Sequence, residues 1–395
     1  MERSRPPTGP SRAWGGAEIK LDMAPTRHRW LVSPSFDLGW FAIPGALALL
    51  AALCVGLSLD PSEDDSLALW IVGVVLVDVA HVWASLYRTY LDPEARRLHA
   101  QLLRATPVLV LLLGFMVHAV SPALFWTALA YVAVFHFIKQ QEGFVALYLR
   151  AGGETGAAAA RDRALAKAAV WSSTAGPVIW WHTQLPRRFH WFVAEDFVAG
   201  LPTIVGTIAV WVQVPILLAF ALRRIQLASG RTTSRGRRGH PMVPLLVAIT
   251  ALSWNLGIVW FNDGRVFTIS NVFIHGLPYL ALVWVAGGRE AVEHRVSPRR
   301  AAPALVFGVF YGLLVILAVF EEALWDRLVW HDHPTLFGHG HSELGEFGLA
   351  LVVALLTVPQ ATHYVLDRFI WRVGPNNPKL AAQLGMAAPT TPPQR

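Results

Sequence analysis

The sequence predicts an all-α, polytopic integral membrane protein with about ten transmembrane helices. Only 15% of its residues are charged, against roughly 25% in a soluble globular protein, and 54% are hydrophobic. The apolar residues fall into long runs, each close to the roughly 20 residues that a helix needs to cross a bilayer. Its 17 tryptophans suit such a protein, because the indole ring favours the boundary between lipid and water.

We expect one helix in each of ten apolar segments. The fifth segment is the weakest, because it is short and contains Gly176 and Pro177 in a polar stretch. A broken or re-entrant helix, covered by protein or water, is one interpretation of it. In chain order, the ten segments cover residues 38–59, 67–87, 103–121, 123–147, 168–184, 199–222, 242–261, 266–286, 303–322 and 345–368.

The charges between the segments predict the topology. With ten spans, the arginine-rich N-terminal tail, the even-numbered connections and the C-terminal tail all lie on one side, opposite an acidic first loop. Cationic loops remain in the cytoplasm, so we expect both termini there and place the chain in a bacterial inner (plasma) membrane. The net charge of +7 follows from this topology and from contact with anionic lipid, so we expect no nucleic-acid partner.

Three regions are expected along the chain. Residues 1–35 form a basic, proline-rich tail, residues 36–372 the transmembrane domain, and residues 373–395 a second tail, with both tails disordered. Cys54 is the only cysteine. An intrachain disulfide and a cysteine-ligated zinc or iron–sulfur site are therefore excluded.

Four histidines lie deep inside segments that otherwise resemble membrane-spanning helices. Each has a polar residue three or four positions away, on the same helix face. Ionisable groups are costly inside a bilayer unless something holds them, so they indicate function. We expect the four imidazoles to meet in the bundle as ligands of one or two metal ions. They are His81, His136, His275 and His363, with Asp78, Gln140, Asn271 and Asp367 as their neighbours.

Four polar residues near these histidines are the candidate catalytic residues. Asp78 and Asp367 are expected to accept the N–H of the neighbouring imidazole or to bind the metal directly. An ion pair of Asp367 with the adjacent arginine at the membrane boundary is the alternative. Lys139 and Gln140 belong to a stretch too polar for lipid, so they must face protein or a cavity unless the fourth span ends before them.

Four further residues are candidates for binding substrate. Arg88 and Tyr90 lie at the cytoplasmic boundary of the second span, where they are expected to orient a polar head group. A snorkelling arginine and an interfacial tyrosine are the alternative. Asn271 and Tyr279 share a helix face with the third histidine, although an asparagine there can also bridge helices by hydrogen bonds.

A second histidine cluster precedes the tenth segment. Its two H-x-H pairs suit zinc, copper or nickel, with a carboxylate as a further ligand. Solvated histidines in a glycine-rich loop are the alternative. The cluster comprises His331, His333, His339 and His341, with Asp332 or Glu343 as the carboxylate.

Imidazole with carboxylate suits non-haem iron. We therefore expect a metal-dependent membrane oxidoreductase or oxygenase that acts on a lipid or isoprenoid substrate. The sequence lacks H-E-x-x-H, the P-loop, G-x-S-x-G and the histidine boxes of membrane desaturases. The plan of one histidine per span is similar in architecture, not in motif, to that of bacterial membrane carotene-cleaving oxygenases. Haem, zinc or copper are alternative cofactors, and a transporter is an alternative function.

Overall fold

The computed structural model describes residues 30–58, 66–184, 189–229, 239–296, 302–339, 344–374 and 377–386. Within these ranges the chain consists of helices and their connections, and the single extended pairing is an isolated bridge between Gly374 and Asn377. The predicted all-α helical bundle is therefore confirmed.

Among the described residues, nine helices are long and apolar enough to cross a membrane, and a tenth is equally long but more polar. Together they match the ten predicted segments in order. They are α1 (Pro34–Ser58), α2 (Leu67–Arg88), α3 (Ala100–Val120), α4 (Pro122–Ala151), α5 (Ala160–Trp181), α6 (Thr203–Ser229), α7 (Met242–Trp260), α8 (Gly264–Arg295), α9 (Pro303–Trp330) and α10 (Glu346–Ile370).

The fifth predicted segment forms α5, which is a continuous helix of 22 residues and not a broken one. It accommodates Pro177 internally, and the hydroxyl of Ser173 donates to the carbonyl of Ala169. Gly176 has a packing role, because a Cβ atom there would lie 2.9 Å from the carbonyl oxygen of Ala209 in α6. The small residues that suggested a break therefore allow α5 and α6 to pack closely.

Both chain ends pack on the bundle where the structure describes them, which differs from the disorder expected for residues 1–35 and 373–395. Leu31 is buried, and its N–H donates to Asp37 Oδ2 at 2.8 Å. A short helix, Leu380–Gln383, buries Leu380. The rest of the two predicted tails, residues 1–29 and 387–395, lies outside the described residues.

Helix α8 lies at the centre of the bundle, where it packs against α1, α2 and α7. Close packing of α2 on α8 depends on Gly276, since a Cβ atom there would lie 2.5 Å from Cγ1 of Val77. Helix α2 is π-helical from Trp70 to Val79, immediately before His81. Such wide turns are rare and are frequently found at functional sites.

Candidate metal centre

Four histidines from four helices meet in the interior of the bundle. His81 of α2, His136 of α4, His275 of α8 and His363 of α10 are each at most 5% exposed. The Nε2 atoms of His81 and His275 lie 3.0 Å apart. The ring centroid of His363 lies 5.0 Å from that of His81 and 4.8 Å from that of His136. The four imidazoles that the sequence places on separate spans therefore form one cluster.

Two overlapping groups in this cluster are spaced like the ligands of a metal ion. One group is His81, His136 and His363, the other is Asp78, His81 and His275, and within each the ligand atoms lie within 4.8 Å of one another. Two nitrogens that bind one ion at about 2.1 Å are about 3.0–4.2 Å apart, depending on the angle between the bonds. Because His81 belongs to both groups, the geometry suits one ion or two neighbouring ions.

Most ring nitrogens in the cluster have no hydrogen-bond partner among the described residues. Buried polar atoms are almost always hydrogen bonded, so each exception requires an explanation such as an ion. A neutral imidazole carries a lone pair on one nitrogen, and a cation at the centre would satisfy it. The nitrogens concerned are Nδ1 of His81 and of His275, Nε2 of His136, and both nitrogens of His363.

Two carboxylates lie behind the histidines, on the same helices. Asp78 Oδ1 is 3.5 Å from Nδ1 of His81, and Asp367 Oδ1 is 3.6 Å from Nδ1 of His363. The hydroxyl of Tyr279 donates a hydrogen bond to Asp367 Oδ1 at 2.7 Å. Histidine ligands commonly direct their second nitrogen at a carboxylate, which fixes the ring and leaves Nε2 for the metal. Each aspartate therefore lies close to Nδ1 of the histidine on its own helix.

Two acidic residues near the cluster were missed in the sequence. Glu321 accepts a hydrogen bond from Nε1 of Trp83 at 2.7 Å, and both Glu321 and Glu322 lie close enough to Asp78 to interact with it electrostatically. The predicted ninth segment ends at residue 322, whereas α9 continues to Trp330. A predicted ninth span that extended to residue 330 would have placed Glu321 and Glu322 inside an apolar helix. Two adjacent glutamates in that position would have indicated a functional site.

Helix α8 is held at the site by two glutamines of α4. Pro278 has no N–H, so the carbonyl of Ile274, four residues earlier, loses its helical partner. Gln141 donates to that carbonyl at 3.2 Å. Gln140, for which we expected a catalytic role, donates to the carbonyl of His275 at 2.8 Å. Its amide group therefore positions the backbone of a histidine in the cluster.

Aromatic rings fix the planes of two of the imidazoles. Phe137 stacks on His275 with a centroid separation of 3.8 Å and an interplanar angle of 2°. Tyr364 stacks on His136 at 4.3 Å. Tyr364 was not singled out in the sequence, where its position next to His363 was the only available signal. These stacked rings restrict the directions in which the nitrogens point.

Two of the predicted site residues lie on helices of the cluster but have partners of their own. Lys139 is partly exposed and pairs with Glu142 at 2.7 Å. Asn271 is buried, and its amide donates to the carbonyls of Phe267 at 3.2 Å and Ser253 at 3.4 Å. The contact with Ser253 joins α8 to α7, which is the helix-bridging alternative for this asparagine.

Arg88 and Tyr90, expected to bind substrate, instead join helix ends. Arg88 is 5% exposed and donates to the carbonyls of Ala286 and of Ile370. Tyr90 donates to the carbonyl of Leu103 at 2.7 Å, and its partial burial raises the pKa of its hydroxyl, which keeps the donor protonated. Their side chains satisfy backbone carbonyls, so we assign both a structural role.

The second histidine cluster is described only in part, since His341 and Glu343 lie outside the described residues. His333 stacks on Trp70 at 4.0 Å, and its Nδ1 lies 3.4 Å from Asp326 Oδ1. Among the described residues, the two groups at the buried cluster are the only ones of three or more ligands spaced for a metal. The described part of the loop cluster, His331, Asp332, His333 and His339, therefore forms no such group by itself.

A cavity of about 1270 Å³ leads to the buried cluster. His136, Tyr279, Tyr364 and Asp367 contribute to its lining near the cluster. Farther along α4 the lining continues to Arg150, at the end of that helix. The cavity therefore connects a histidine of the cluster with the boundary of the membrane-spanning region.

The chain was compared with family models, with curated proteins and with solved structures, and none of them matches it. The function is therefore inferred from the site itself.

Proposed function

We propose that this integral membrane protein is a metal-dependent oxidoreductase or oxygenase that acts on a lipid or isoprenoid substrate. The observation that carries the proposal is the convergence of His81, His136, His275 and His363 from four separate helices, where five of their eight ring nitrogens have no hydrogen-bond partner among the described residues. Burying four imidazoles in a membrane bundle is costly unless they have partners, and one or two bound cations would give each of them a partner. The site lies inside a membrane protein, which is consistent with a substrate that resides in the bilayer.

Iron is the metal that we propose, on the basis of the donor set. Imidazole nitrogen and carboxylate oxygen suit non-haem iron, and the only cysteine, Cys54, is exposed on α1. A bound iron ion would supply oxygen activation or polarise a bound group. The protein would hold the metal through the four histidines, with Asp78 and Asp367 balancing its charge and orienting two of the rings.

The contacts among the rings favour a bare ion over haem. A haem iron with two axial histidines requires a macrocycle between the two rings. Here the rings contact one another edge to face, at centroid distances of 4.6 Å for His81 and His275 and 5.2 Å for His136 and His275. A porphyrin would have to displace these contacts, whereas an ion fits among the nitrogens.

Metal analysis of the full-length protein, purified in detergent, tests the proposal. We expect close to one or two iron ions per chain in the wild type and loss of most of the metal in His136→Ala and His363→Ala. His118→Ala is a matched control, because His118 is equally buried but lies on α3 outside both ligand groups. Wild-type protein without near-stoichiometric iron, copper, manganese or zinc would contradict the proposal, and stoichiometric zinc or copper would correct the metal.

The same buried polar residues would also serve a transporter. That function predicts movement of a proton or solute across sealed vesicles by protein without stoichiometric metal. Parallel assays on one preparation therefore separate the two functions. Bound iron that the histidine variants lose favours the enzyme, whereas transport by metal-free protein favours the transporter.

A further inference from the structure

The cavity beside the histidine cluster is large and has a mostly apolar wall. Its volume of about 1270 Å³ exceeds the roughly 300–1,000 Å³ that is usual for a small-molecule site. Among the side chains along its length are Val132, Phe135, Leu147, Leu282 and Phe369. A wall of this kind suits a long hydrocarbon chain, because hydrocarbon gains from contact with apolar surface and requires no hydrogen-bond partner.

The cavity also contains more positive than negative side chains. Glu142 pairs with Lys139 at 2.7 Å and with Lys167 at 3.5 Å. Glu154 forms an ion pair with Arg224, which donates to both of its carboxylate oxygens. The cationic side chains that line the cavity are Lys139, Arg150, Arg163, Lys167, Arg368 and Arg372.

Four of these cations have no acidic partner among the described residues. Arg163 donates to the backbone carbonyls of Glu154 and Gly156, and the other three are Arg150, Arg368 and Arg372. Arg150 lies at the end of α4, Arg368 in the last turn of α10, and Arg372 just beyond it. Guanidinium groups bind carboxylate and phosphate oxygens through paired hydrogen bonds. This part of the lining therefore favours an anionic group.

Arg150 and His136 are separated by a defined length of helix. His136 and Arg150 both line the cavity, and both belong to α4. At about 1.5 Å per residue, the 14 steps from His136 to Arg150 correspond to about 21 Å along the helix. A molecule that contacts both ends must therefore be long.

We propose that the cavity binds an amphiphile with one anionic head, a carboxylate or a phosphate, at Arg150 and Arg372, and with a long apolar chain that extends to His136. This inference rests on the proposed function, since it names the class of substrate for the same site. It also places the reaction on the hydrocarbon chain, far from the head, because the separation between Arg150 and His136 determines which carbon reaches the cluster.

Binding measurements on the purified full-length protein in a neutral detergent test the head group. The probes are palmitate, its neutral analogue palmityl alcohol, and dodecyl phosphate with dodecanol as its neutral analogue. We expect each anion to bind about ten-fold more tightly than its neutral analogue. A neutral probe that binds as tightly as its anion would overturn the proposal.

Two variants locate the head group in the cavity. The double variant Arg150→Gln, Arg372→Gln should lose the preference for palmitate over the alcohol. Arg161→Gln is the matched control, because Arg161 is an exposed arginine in the first turn of α5 that does not line the cavity. Selectivity that survives in the double variant, or that Arg161→Gln abolishes equally, would overturn the assignment.

Competition experiments test whether the cavity binds the hydrocarbon chain of the amphiphile. Acetate and inorganic phosphate carry the head-group charge without hydrocarbon, and we expect neither to displace palmitate at millimolar concentration. Affinity should also rise from octanoate to palmitate as more apolar wall is covered. Displacement by a short anion, or equal affinity for octanoate and palmitate, would show an anion site without a chain site and would overturn the proposal.

His363→Ala separates this inference from the proposed function. His363 belongs to a ligand group but does not line the cavity. The variant should therefore lose metal and still bind palmitate selectively. Wild-type protein that retains metal without selectivity for palmitate would contradict this inference alone, whereas selective binding by wild-type protein without metal would contradict the proposed function alone.

Discussion

The Nε2 atoms of His81 and His275 face each other at 3.0 Å in the interior of the bundle. In a neutral pair, the N–H of one ring donates a hydrogen bond to the other ring. Around a bound ion, both rings would direct a lone pair at the metal, and 3.0 Å is close to the separation of two adjacent ligands at about 2.1 Å from one ion. The geometry of the cluster depends on the residues that position its imidazoles, and substitutions of those residues test it.

Asp367 supports the cluster from behind His363, and replacing its carboxylate should weaken metal binding. We expect Asp367→Asn to lower metal affinity about 10–100-fold, because the amide cannot provide the charge that orients and polarises the imidazole. Competition with a chelator of known affinity measures the effect. Asp92→Asn, at the N-terminal cap of a short helix outside the membrane-spanning helices, should leave metal affinity unchanged. Equal affinities of Asp367→Asn and wild type would show that the carboxylate has no such role.

Gly276 sets the distance between α2 and α8 next to the His81–His275 pair. In Gly276→Ala the added methyl group would lie 2.5 Å from Cγ1 and 3.1 Å from the carbonyl oxygen of Val77. We expect a loss of about 1–3 kcal/mol in unfolding free energy and a lower metal content. Thermal unfolding in detergent and metal analysis measure the two effects.

A matched control for that variant is Gly312→Ala in α9, where the built Cβ atom has no neighbour within 4 Å among the described residues. Because alanine favours a helix over glycine by about 1 kcal/mol, this control should be neutral or more stable. Similar behaviour of the two variants would mean that close packing at Gly276 is not required.

The carbonyl of Ile274 lacks its helical hydrogen bond because Pro278 has no N–H, and Gln141 donates to this carbonyl instead. Gln141→Leu should therefore cost about 1 kcal/mol in unfolding free energy. In a Pro278→Ala background the alanine N–H can bond to Ile274 within the helix, so the same change should cost less. A double-mutant cycle on unfolding free energies measures the difference. Equal costs in both backgrounds would refute the coupling.

Glu154 and Arg224 form a buried ion pair with bonds of 2.8 and 2.9 Å. Removing one partner leaves an unpaired buried charge, so Arg224→Met should cost about 3–5 kcal/mol in unfolding free energy. The neighbouring Arg223 is 30% exposed and pairs with Asp162. For Arg223→Met we expect about 1 kcal/mol or less, because solvent screens that pair. Chemical unfolding compares the two, and equal losses would contradict the distinction.

The number and order of the long helices, and the four histidines of the cluster, followed from the sequence because both depend on local properties. A run of about 20 apolar residues specifies a spanning helix whatever surrounds it. A histidine in such a run is costly in any packing, so His81, His136, His275 and His363 could be identified without coordinates. The continuity of α5 was missed because its glycine and proline are explained by contact with α6, which no local pattern shows.

Only the tertiary structure decided which side chains share the interior, because that depends on how each helix is rotated against its neighbours. It brought the four imidazoles together and placed Glu321 close enough to Asp78 to interact with it electrostatically. It also showed that Arg88 donates to backbone carbonyls. It also paired Gln141 with a carbonyl freed by a proline 137 residues farther along the chain. The apolar pattern fixes where each helix crosses the bilayer, whereas rotation and register are fixed by contacts between residues distant in sequence.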